Sequence, residues 1–471
     1  MNIKILVFLF LIIAGKSSFG QDNLDSLYFT YTDFMGMVGA YHPVVAQTKL
    51  RIEAAEQQIM GTRGMLDPKL YSDFNNKEFD GKNYYNKWKS GLKIPTWFGA
   101  DFKVGYENNS GDFLNPENNI PIDGQLELGV SIPLLQNLVY NDRRVAIRQA
   151  QLMQEGTVQE QRLVVNDLLF EATKVYWYWV ASYGLLQVHL ESVETAKIRF
   201  NAVKSNYVNG YKPAIDTLEA LIQVQNRTFN AQEAEVNFAN ASLLLSNYLW
   251  FENQTPLELL PSMVPPLPQQ VNLPVLSTDS LQKFVLVAST EHPEVNQLKI
   301  ALTSQDIQRK LYANNLLPDL NVDYSLLSGN ASSWENATND FGFENYKLGV
   351  SFVMPLFLRK ERSYMNSIRL KTDETSLKLD LKQREVSNKI SASYNKYITL
   401  GNQLVLYKQT VLNYQNLYLA ELRKFNMGES TLFLVNSREQ KTIEARLKLA
   451  ELIAKYQQAF QAIWWSGGML Q

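Results

Sequence analysis

Few side chains in this 471-residue chain have the type and spacing that catalysis requires. Cysteine is absent, which excludes disulfides, thiolate metal sites and cysteine nucleophiles. The three histidines are His42, His189 and His292, and two of them precede a proline at matching places, which indicates a structural role. No carboxylate pair, Ser–His pair or glycine-rich phosphate loop stands out. The sequence therefore predicts a protein that is not an enzyme, with no catalytic residue, no cofactor and no metal site.

The remaining chemical signals are weak. The run Tyr-Trp-Tyr-Trp at 176–179 could form an aromatic site, but packing between helices is the favoured interpretation. His189 is interpreted as a solvated residue or part of a helix seam. The net charge of -2 gives no strong attraction to nucleic acid, and no nucleic-acid partner is expected. Architecture is therefore a better guide to function than any single residue.

The chain repeats one long unit. The segment YHPVVAQTKLRIEAAEQQI around His42 recurs as EHPEVNQLKIALTSQDIQ around His292. LGVSIPLL at 128–135 recurs as LGVSFVMPLF at 348–357, and YVNG at 207–210 recurs as FNMG at 425–428. The order of landmarks is the same in both halves, but the first half is longer between its His-Pro pair and LGVS. The pattern indicates one duplicated unit and excludes a short-period solenoid.

Four segments follow from this repeat. The N-terminus has the features of a secretory signal, with Lys4, an apolar run over 5–13 and small residues up to Gly20. The proline-rich segment between the repeats cannot be a continuous helix, and its apolar residues favour a packed strap over a disordered linker. The predicted segments are a signal peptide at 1–20, a first repeat at 21–252, a strap at 253–277 and a second repeat at 278–471.

Several segments alternate between apolar and polar residues with the period of two that is typical of strands. The candidate strands lie at about 69–76, 86–95, 99–107, 125–133, 319–327 and 343–353. Taken alone, the alternation favours an ordinary sheet with one wet face. Charges and glycines on the second face, aromatic residues near strand ends and the signal peptide favour strands between lipid and a water-filled lumen. The residues predicted to face lipid are Leu126, Leu128, Val130, Ile132, Tyr346, Leu348, Val350 and Phe352.

Two helical segments are too long for a compact domain. Residues 137–207 contain no proline and, if helical, span about 105 Å. Residues 358–426 are similar, and apolar residues in both recur at three and four, as in a coiled coil. Predicted helices at 43–64 and 213–251 are together nearly as long as 137–207, so they can stack end to end beside it as the wall of a cylinder. A soluble coiled coil is the alternative, but it leaves the strands unexplained.

Taken in order and twice over, these segments resemble the TolC family of outer-membrane efflux proteins. The matching pieces include LELGVSIPLLQNLVYNDRR, YKLGVSFVMPLFLRKERSY, YVNGYKPAIDTLEA and FNMGESTLFLVNSRE. The resemblance implies a mostly α fold with membrane β, in which a duplicated helix–strand–helix unit builds a long periplasmic α-helical barrel. It also implies a β-barrel, usually of twelve strands, shared by the three subunits of a homotrimer in the outer membrane of a Gram-negative bacterium.

The implied function is that of a passive, porin-like channel in a tripartite export system. An inner-membrane transporter drives efflux through a periplasmic adaptor (membrane fusion) protein, and the cargo is a small molecule, a metal ion or a secreted polypeptide. A periplasmic coiled-coil scaffold or adaptor without pore activity is the alternative. The sequence does not name the cargo, nor does it say whether the extra hairpin of the first repeat gives the trimer eighteen strands.

The resemblance places an adaptor-docking tip at the two turns between the paired helices. The tip residues predicted from it are Tyr207, Asn209, Gly210, Pro213, Asp216, Asn426, Gly428, Glu429 and Ser430. Asp216 falls where the family often carries an aspartate near the closed mouth, although a helix-start role is at least as well favoured. Leu434 and Ser437 stand where some members place acidic rings, so an acidic constriction is in doubt unless Glu429 substitutes.

Overall fold

Long helices dominate the computed structural model of the chain, which describes residues 27–260, 262–329 and 340–470. The predicted signal peptide lies outside the described residues. The helices of the described part are α1 (Tyr31–Tyr41), α2 (Pro43–Arg63), α3 (Asp142–Val208), α4 (Ala214–Ser246), α5 (Thr278–Glu291), α6 (Pro293–Asn314), α7 (Arg359–Asn426) and α8 (Leu432–Ser466). None of these helices, within those residue limits, is both long enough and apolar enough to cross a membrane.

Six long strands form one antiparallel sheet. The strands of the described part are β1 (Leu27–Tyr28), β2 (Lys69–Phe79), β3 (Lys82–Pro95), β4 (Asp101–Ser110), β5 (Gln125–Pro133), β6 (Trp250–Phe251), β7 (Thr255–Pro256), β8 (Met263–Val264), β9 (Asp319–Ser328) and β10 (Tyr346–Val353). The sheet has the order β10–β9–β5–β4–β3–β2, so the two repeats meet where β5 pairs with β9. The long strands lie within a few residues of the segments whose alternation predicted them.

The helices build a wall with two levels. Near the sheet, α3 packs against α2 and α6, and α6 packs against α7. Away from the sheet, α3 packs against α4 and α8, and α8 packs against α7. Two shorter helices therefore stack beside each long one, as their lengths predicted. The predicted architecture, mostly α with a sheet built from a duplicated helix–strand–helix unit, is confirmed.

The helix ends differ from the prediction for local reasons. The long helix of the first repeat begins at Asp142 and not at 137, because the side chain of Asn141 caps it by accepting from the Arg144 N–H at 2.9 Å. The following helix ends at Ser246 and not at 251, because Trp250 and Phe251 form β6. Two short helices, α1 and α5, precede the His-Pro pairs and were not predicted.

Both His-Pro pairs start a helix in the same way. The Nδ1 of His42 accepts a hydrogen bond from the Val44 N–H at 3.2 Å, and the Nδ1 of His292 accepts one from the Glu294 N–H at 3.2 Å. The proline that follows takes the first helical position, where no N–H is needed. Burial lowers the pKa of both imidazoles. The neutral ring, whose Nδ1 can accept, is therefore the form that caps the helix.

We expect protonation of these two caps to destabilise the protein. Because the folded pKa lies below the unfolded value of about 6.5, their contribution is complete above about pH 6.5 and is lost as the pH falls through the folded pKa. The double variant His42→Asn/His292→Asn keeps a capping acceptor that does not titrate. Its melting temperature by circular dichroism should fall less than that of the wild type between neutral pH and about pH 5. Equal falls in the two proteins would contradict the capping role.

The proline-rich segment lies across helices of both repeats. The carbonyl of Pro274 accepts hydrogen bonds from the hydroxyls of Tyr397 at 2.8 Å and Tyr456 at 2.6 Å. Pro268 is buried against α3, where a Cβ on Gly184 would come within 2.7 Å of its ring. A glycine at 184 is therefore what allows the segment to approach the long helix closely.

Candidate channel wall and periplasmic tip

One face of the sheet is apolar and exposed in the single chain. The eight residues predicted to face lipid all lie on this face, because their strands pair in a register that keeps them together. Leu128 is 46% exposed, and Leu348 and Phe352 are 57% and 62% exposed. The face continues into the extra hairpin through Leu70, Phe74 and Trp88. An apolar surface of this extent needs a nonpolar environment.

The opposite face carries charged side chains joined across strands. Lys89 on β3 lies 3.5 Å from Glu127 on β5 and 3.8 Å from Glu107 on β4. Ser325 on β9 donates a hydrogen bond of 2.7 Å to Glu127, and Lys103 on β4 lies 3.7 Å from Asp323 on β9. Such half-exposed pairs require water nearby, since charges are costly to bury away from it. The sheet thus separates an apolar surface from a wet one.

The two turns between paired helices have the same backbone structure. In the first, the Gly210 N–H donates to the Tyr207 carbonyl and the Tyr211 N–H to the Asn206 carbonyl. In the second, the Gly428 N–H donates to the Phe425 carbonyl and the Glu429 N–H to the Lys424 carbonyl. Both are Schellman motifs, whose C′ residue is left-handed. Gly210 has φ +80° and Gly428 has φ +82°, which explains glycine at both positions.

The predicted tip residues lie together around these turns. Tyr207, Asn209, Gly210 and Pro213 are exposed, as are Asn426, Gly428 and Glu429. Ser430 is half-buried and donates to Glu421 at 2.5 Å. Asp216 lies in the first turn of α4, which suits both a helix-start residue and a mouth residue. The two turns sit at one level, because the side chain of Asn436 on α8 donates to Glu219 on α4 at 2.9 Å.

A buried charged cluster joins all four helices above the tip. Both terminal guanidinium nitrogens of Arg199 on α3 lie 2.8 Å from the carboxylate of Glu439 on α8. Arg199 also donates to Tyr418 on α7 at 2.8 Å and to Asn436 at 3.0 Å. Burial would lower the pKa of Arg199, but its bonds to Glu439 and that carboxylate's charge raise it. This cluster ties the two helix hairpins together.

Arg227 on α4 is the poorly satisfied member of the cluster. Its side chain is only 3% exposed, and its nearest approach to Glu439 is 3.7 Å. It donates to Gln440, but its Nε and one terminal nitrogen have no hydrogen-bond partner. Burial lowers its pKa. No pattern in the sequence predicts this cluster, because its members lie on four separate helices.

Three residues of the aromatic run at 176–179 pack in the core, as interpreted, whereas Tyr178 is 47% exposed. Tyr176, Trp177 and Trp179 belong to the apolar cluster shared by α1, α3 and α4. The hydroxyl of Tyr176 donates to the Phe29 carbonyl at 2.9 Å. His189 is half-buried on α3, and burial lowers its pKa.

The two edge helices of the lower wall carry exposed apolar stripes at intervals of seven residues. Ile222, Phe229, Val236 and Leu243 on α4 are 44%, 66%, 59% and 66% exposed. Ile398, Val405, Leu412 and Leu419 on α7 are 38%, 72%, 52% and 40% exposed. A seven-residue apolar repeat is the pattern by which helices pack in coiled coils. The signal is visible in the sequence, but only the helix order shows that these stripes lack a partner among the described residues of one subunit.

The stripes lie at matching levels. Counted from the middle of each turn, residues 211 and 429, Ile222 is eleven residues along α4 and Leu419 is ten residues along α7. The same holds for Phe229 with Leu412, Val236 with Val405 and Leu243 with Ile398. Since the helices run in opposite directions, the four pairs form consecutive layers about 10.5 Å apart.

Comparisons with known proteins agree with this architecture. Residues 287–464 match the family model described as outer membrane efflux protein. No curated protein sequence matches the chain. Among solved structures, the fold is similar to three outer-membrane proteins: the CmeC channel of Campylobacter jejuni (14% identity, TM-score 0.63, 97% of this chain and 90% of that one), the VceC protein of Vibrio cholerae (11%, 0.63, 93% and 96%) and the open MtrE channel of Neisseria gonorrhoeae (11%, 0.66, 97% and 94%).

Proposed function

We propose that the chain is the outer-membrane conduit of a tripartite export system, because its residues 287–464 match the family model described as outer membrane efflux protein. Its location is the outer membrane of a Gram-negative bacterium, with the helical wall in the periplasm. The wet face of the sheet lines the passage and the apolar face meets lipid. The chain supplies no chemistry of its own, so an inner-membrane transporter drives the flow through an adaptor.

The observation that best supports a closed assembly is the pair of unpartnered stripes at the two edges of the helical wall. One edge is α4 and the other is α7, and within a subunit α3 and α8 lie between them. Copies related by rotation bring α4 of one subunit against α7 of the next, at the same height. The four layers then bury Phe229, Val405 and their neighbours, and the ring closes around a water path. Three subunits, the number that the family resemblance implies, give a ring of twelve helices.

Disulfide crosslinking tests this arrangement on a chain without cysteine. The double variant Phe229→Cys/Leu412→Cys should form covalent trimers on mild oxidation in outer-membrane fractions. Because α4 and α7 are not adjacent in one subunit, such a link joins two subunits. Each single variant is the matched control and should stay a monomer on denaturing gels. Oxidised double variant that runs only as monomer would refute the trimer.

The adaptor is proposed to dock on the exposed tip. Tyr207, Asn209 and Pro213 of the first turn, with Asn426 and Glu429 of the second, present two equivalent surfaces per subunit. The duplicated Schellman turns give both surfaces the same backbone, which suits an adaptor that binds each repeat alike. The exported cargo remains open among small molecules, metal ions and polypeptides.

Substitution of the turn glycines should weaken docking without unfolding the chain. A Cβ at Gly210 or Gly428 meets nothing within 4 Å, so the cost comes from the positive φ, about 1–2 kcal/mol per site. We expect Gly210→Val/Gly428→Val to lower recovery of the adaptor in co-purification while trimers persist. Gly156→Val, at a glycine of α3 that also has open space, is the control. Undiminished adaptor recovery with the double variant would argue against docking at these turns.

The scaffold alternative makes different demands. A periplasmic scaffold would not require a sheet with a face exposed to lipid, and it would be recovered without detergent.

We propose the segment boundaries given by the repeat, at 21–252, 253–277 and 278–471, as the units of the conduit. Ion conductance of the purified trimer in planar bilayers separates the two functions, since a scaffold conducts nothing.

A further inference from the structure

The hairpin formed by β2 and β3 has no counterpart among the described residues of the second repeat, and it continues the sheet. We propose that each subunit contributes all six strands to the barrel, and that β2 of one subunit pairs with β10 of the next. The barrel then has eighteen strands, where the family resemblance implies twelve. The inference rests on the proposed trimer.

The hairpin is built into the sheet by its backbone. β3 pairs with β4 over ten consecutive residues, from Asn86 with Ser110 to Pro95 with Asp101, without a register shift. Removing the hairpin from the wall would require this whole ladder to separate. Unpaired backbone groups in lipid are too costly for that to occur.

The base of the hairpin is also held to the helical wall. Arg143, in the first turn of α3, lies 2.7 Å from Asp101 and donates to the Thr96 carbonyl at 3.3 Å. Asn141 donates to the Trp97 carbonyl at 3.2 Å. The turn between β3 and β4 is therefore bonded to the start of α3, at the end of the sheet nearest the helices.

Side chains of the charged face extend across the hairpin. The hydroxyl of Tyr71 on β2 lies over the glycines opposite it, 2.7 Å and 3.4 Å from where a Cβ would stand on Gly91 and Gly105. Lys89 on β3 reaches the carboxylates of β4 and β5. The hairpin thus shares both faces of the sheet.

The two free edges are suited to each other. The sheet has six antiparallel strands, so β2 and β10 run in opposite directions. Rotating one copy beside another therefore places them antiparallel, the direction in which adjacent strands of this sheet already pair. A closed ring leaves no free edge.

The registers within one chain limit which residues can meet between subunits. The paired residues Lys69, Lys93, Lys103, Gly129, Ser325 and Lys347 form one row across the sheet. They stand 0, 2, 2, 4, 6 and 6 residues from the ends of their strands nearest the helices. The row climbs six residues across the subunit. We propose a step of zero from β10 to β2 of the next copy, like the steps from β3 to β4 and from β9 to β10, so the row enters that copy six residues above Lys69. Lys347 then pairs with the partner subunit's Asn75.

This closure has the geometry of known barrels. A climb of six residues per subunit gives the trimer a shear of eighteen for eighteen strands. Equal strand number and shear correspond to a strand tilt of about 36°, within the usual range. The climb within each subunit follows from the registers of one chain, and the proposed step between subunits adds nothing to it.

The circumference also fits the helical wall. Eighteen strands about 4.8 Å apart and tilted by about 36–40° give a ring of roughly 110 Å. Twelve helices about 9–10 Å apart give about the same length. Twelve strands would give only about 75 Å. Six strands per subunit therefore continue the four-helix wall without narrowing.

The same register matches the side chains at the new boundary. On the apolar face, Phe74 meets the partner subunit's Leu348, and Leu70 meets the partner subunit's Phe352. Leu70 and Phe74 are 84% and 63% exposed in the single chain. On the charged face, the partner subunit's Lys347 lies opposite Asn75 and beside Asp73. Cross-strand aromatic and charged pairs of this kind stabilise sheets.

Cysteine pairs distinguish eighteen strands from twelve. With six strands, Asn75→Cys/Lys347→Cys should give covalent trimers, because paired strand positions are within disulfide distance. If only β4, β5, β9 and β10 formed the wall, the row from Lys347 would meet β4 of the next subunit. It would do so six residues along that strand from Asp101, at Glu107. Glu107→Cys/Lys347→Cys is therefore the matched alternative and should remain uncrosslinked. Asp73→Cys/Gly349→Cys is a second pair in the six-strand register, in case the first variant assembles poorly.

The outcomes separate this inference from the proposed trimer. Crosslinking through 75 and 347, or through 73 and 349, supports six strands per subunit. Crosslinking through 107 and 347, or a trimer linked through Phe229→Cys/Leu412→Cys with neither six-strand pair reacting, overturns it while the trimer stands. If none of the pairs forms a covalent trimer, both the proposed trimer and this inference are wrong.

Discussion

Replacing Arg199 with methionine should lower the free energy of unfolding by about 3–5 kcal/mol, because it leaves the carboxylate of Glu439 buried without its main partner. Arg199 meets Glu439 through two bonds of 2.8 Å, and the Glu439 side chain is only 7% exposed. The remaining arginine, Arg227, approaches no closer than 3.7 Å. We expect a clear drop in the temperature at which circular dichroism of the detergent-solubilised protein is lost.

The same substitution at Arg227 should do far less. Arg227 is equally buried, but two of its nitrogens lack partners and burial already disfavours its charge. Removing it leaves a neutral Arg199–Glu439 pair, so the expected change is within about 1 kcal/mol of zero or stabilising. Glu451→Gln, which removes a half-exposed carboxylate beside Lys448 and Lys455, is the surface control. Equal losses at Arg199 and Arg227 would mean that burial, not pairing, decides the stability of this cluster.

Placing lysine on the apolar face of β10 should stop assembly in the outer membrane. Leu348 lies mid-strand and is 57% exposed in the single chain, and a lysine facing lipid near the bilayer midplane costs about 2–4 kcal/mol. Three subunits carry the change, so Leu348→Lys multiplies that cost. We expect its trimers to disappear from outer-membrane fractions on semi-native gels.

The matched control lies on the other face of the same strand. Ser351 points with Gly349 and Lys347 towards the wet side, so Ser351→Lys should leave trimers at wild-type abundance. A normal amount of trimer from Leu348→Lys would contradict the proposal that this face contacts lipid, and it would favour the scaffold. Loss of trimers from Ser351→Lys alone would mean that the faces are assigned the wrong way round.

Local patterns in the sequence were sufficient for the strands and the long helices. Alternation with period two placed β5 and β10, because each has one uniformly apolar face. Proline-free stretches located α3 and α7. The helix α1 was missed although Thr30 and Asp33 form a capping box at its start, a signal that the His-Pro pair next to it overshadowed. Ser277 similarly caps α5.

The parts that sequence reasoning missed depend on residues far apart in the chain. Arg199 and Glu439 are 240 residues apart, and nothing near either one indicates a buried partner. The stripes on α4 and α7 are periodic in the sequence, but an amphipathic helix has the same pattern whether its apolar face meets its own chain or another. Only the order of helices in the wall shows which faces remain uncovered.

Along the row from Lys69 to Lys347, paired residues on neighbouring strands of the sheet differ by only zero or two residues in their distance from the strand ends nearest the helices. A single amino acid inserted in one strand would turn every side chain beyond it, so that Lys and Glu met acyl chains while Leu and Phe met water. An insertion of two residues merely moves the strand along by one pleat. Length variants of this wall that survive in nature should therefore differ by even numbers within strands, with odd changes confined to the loops.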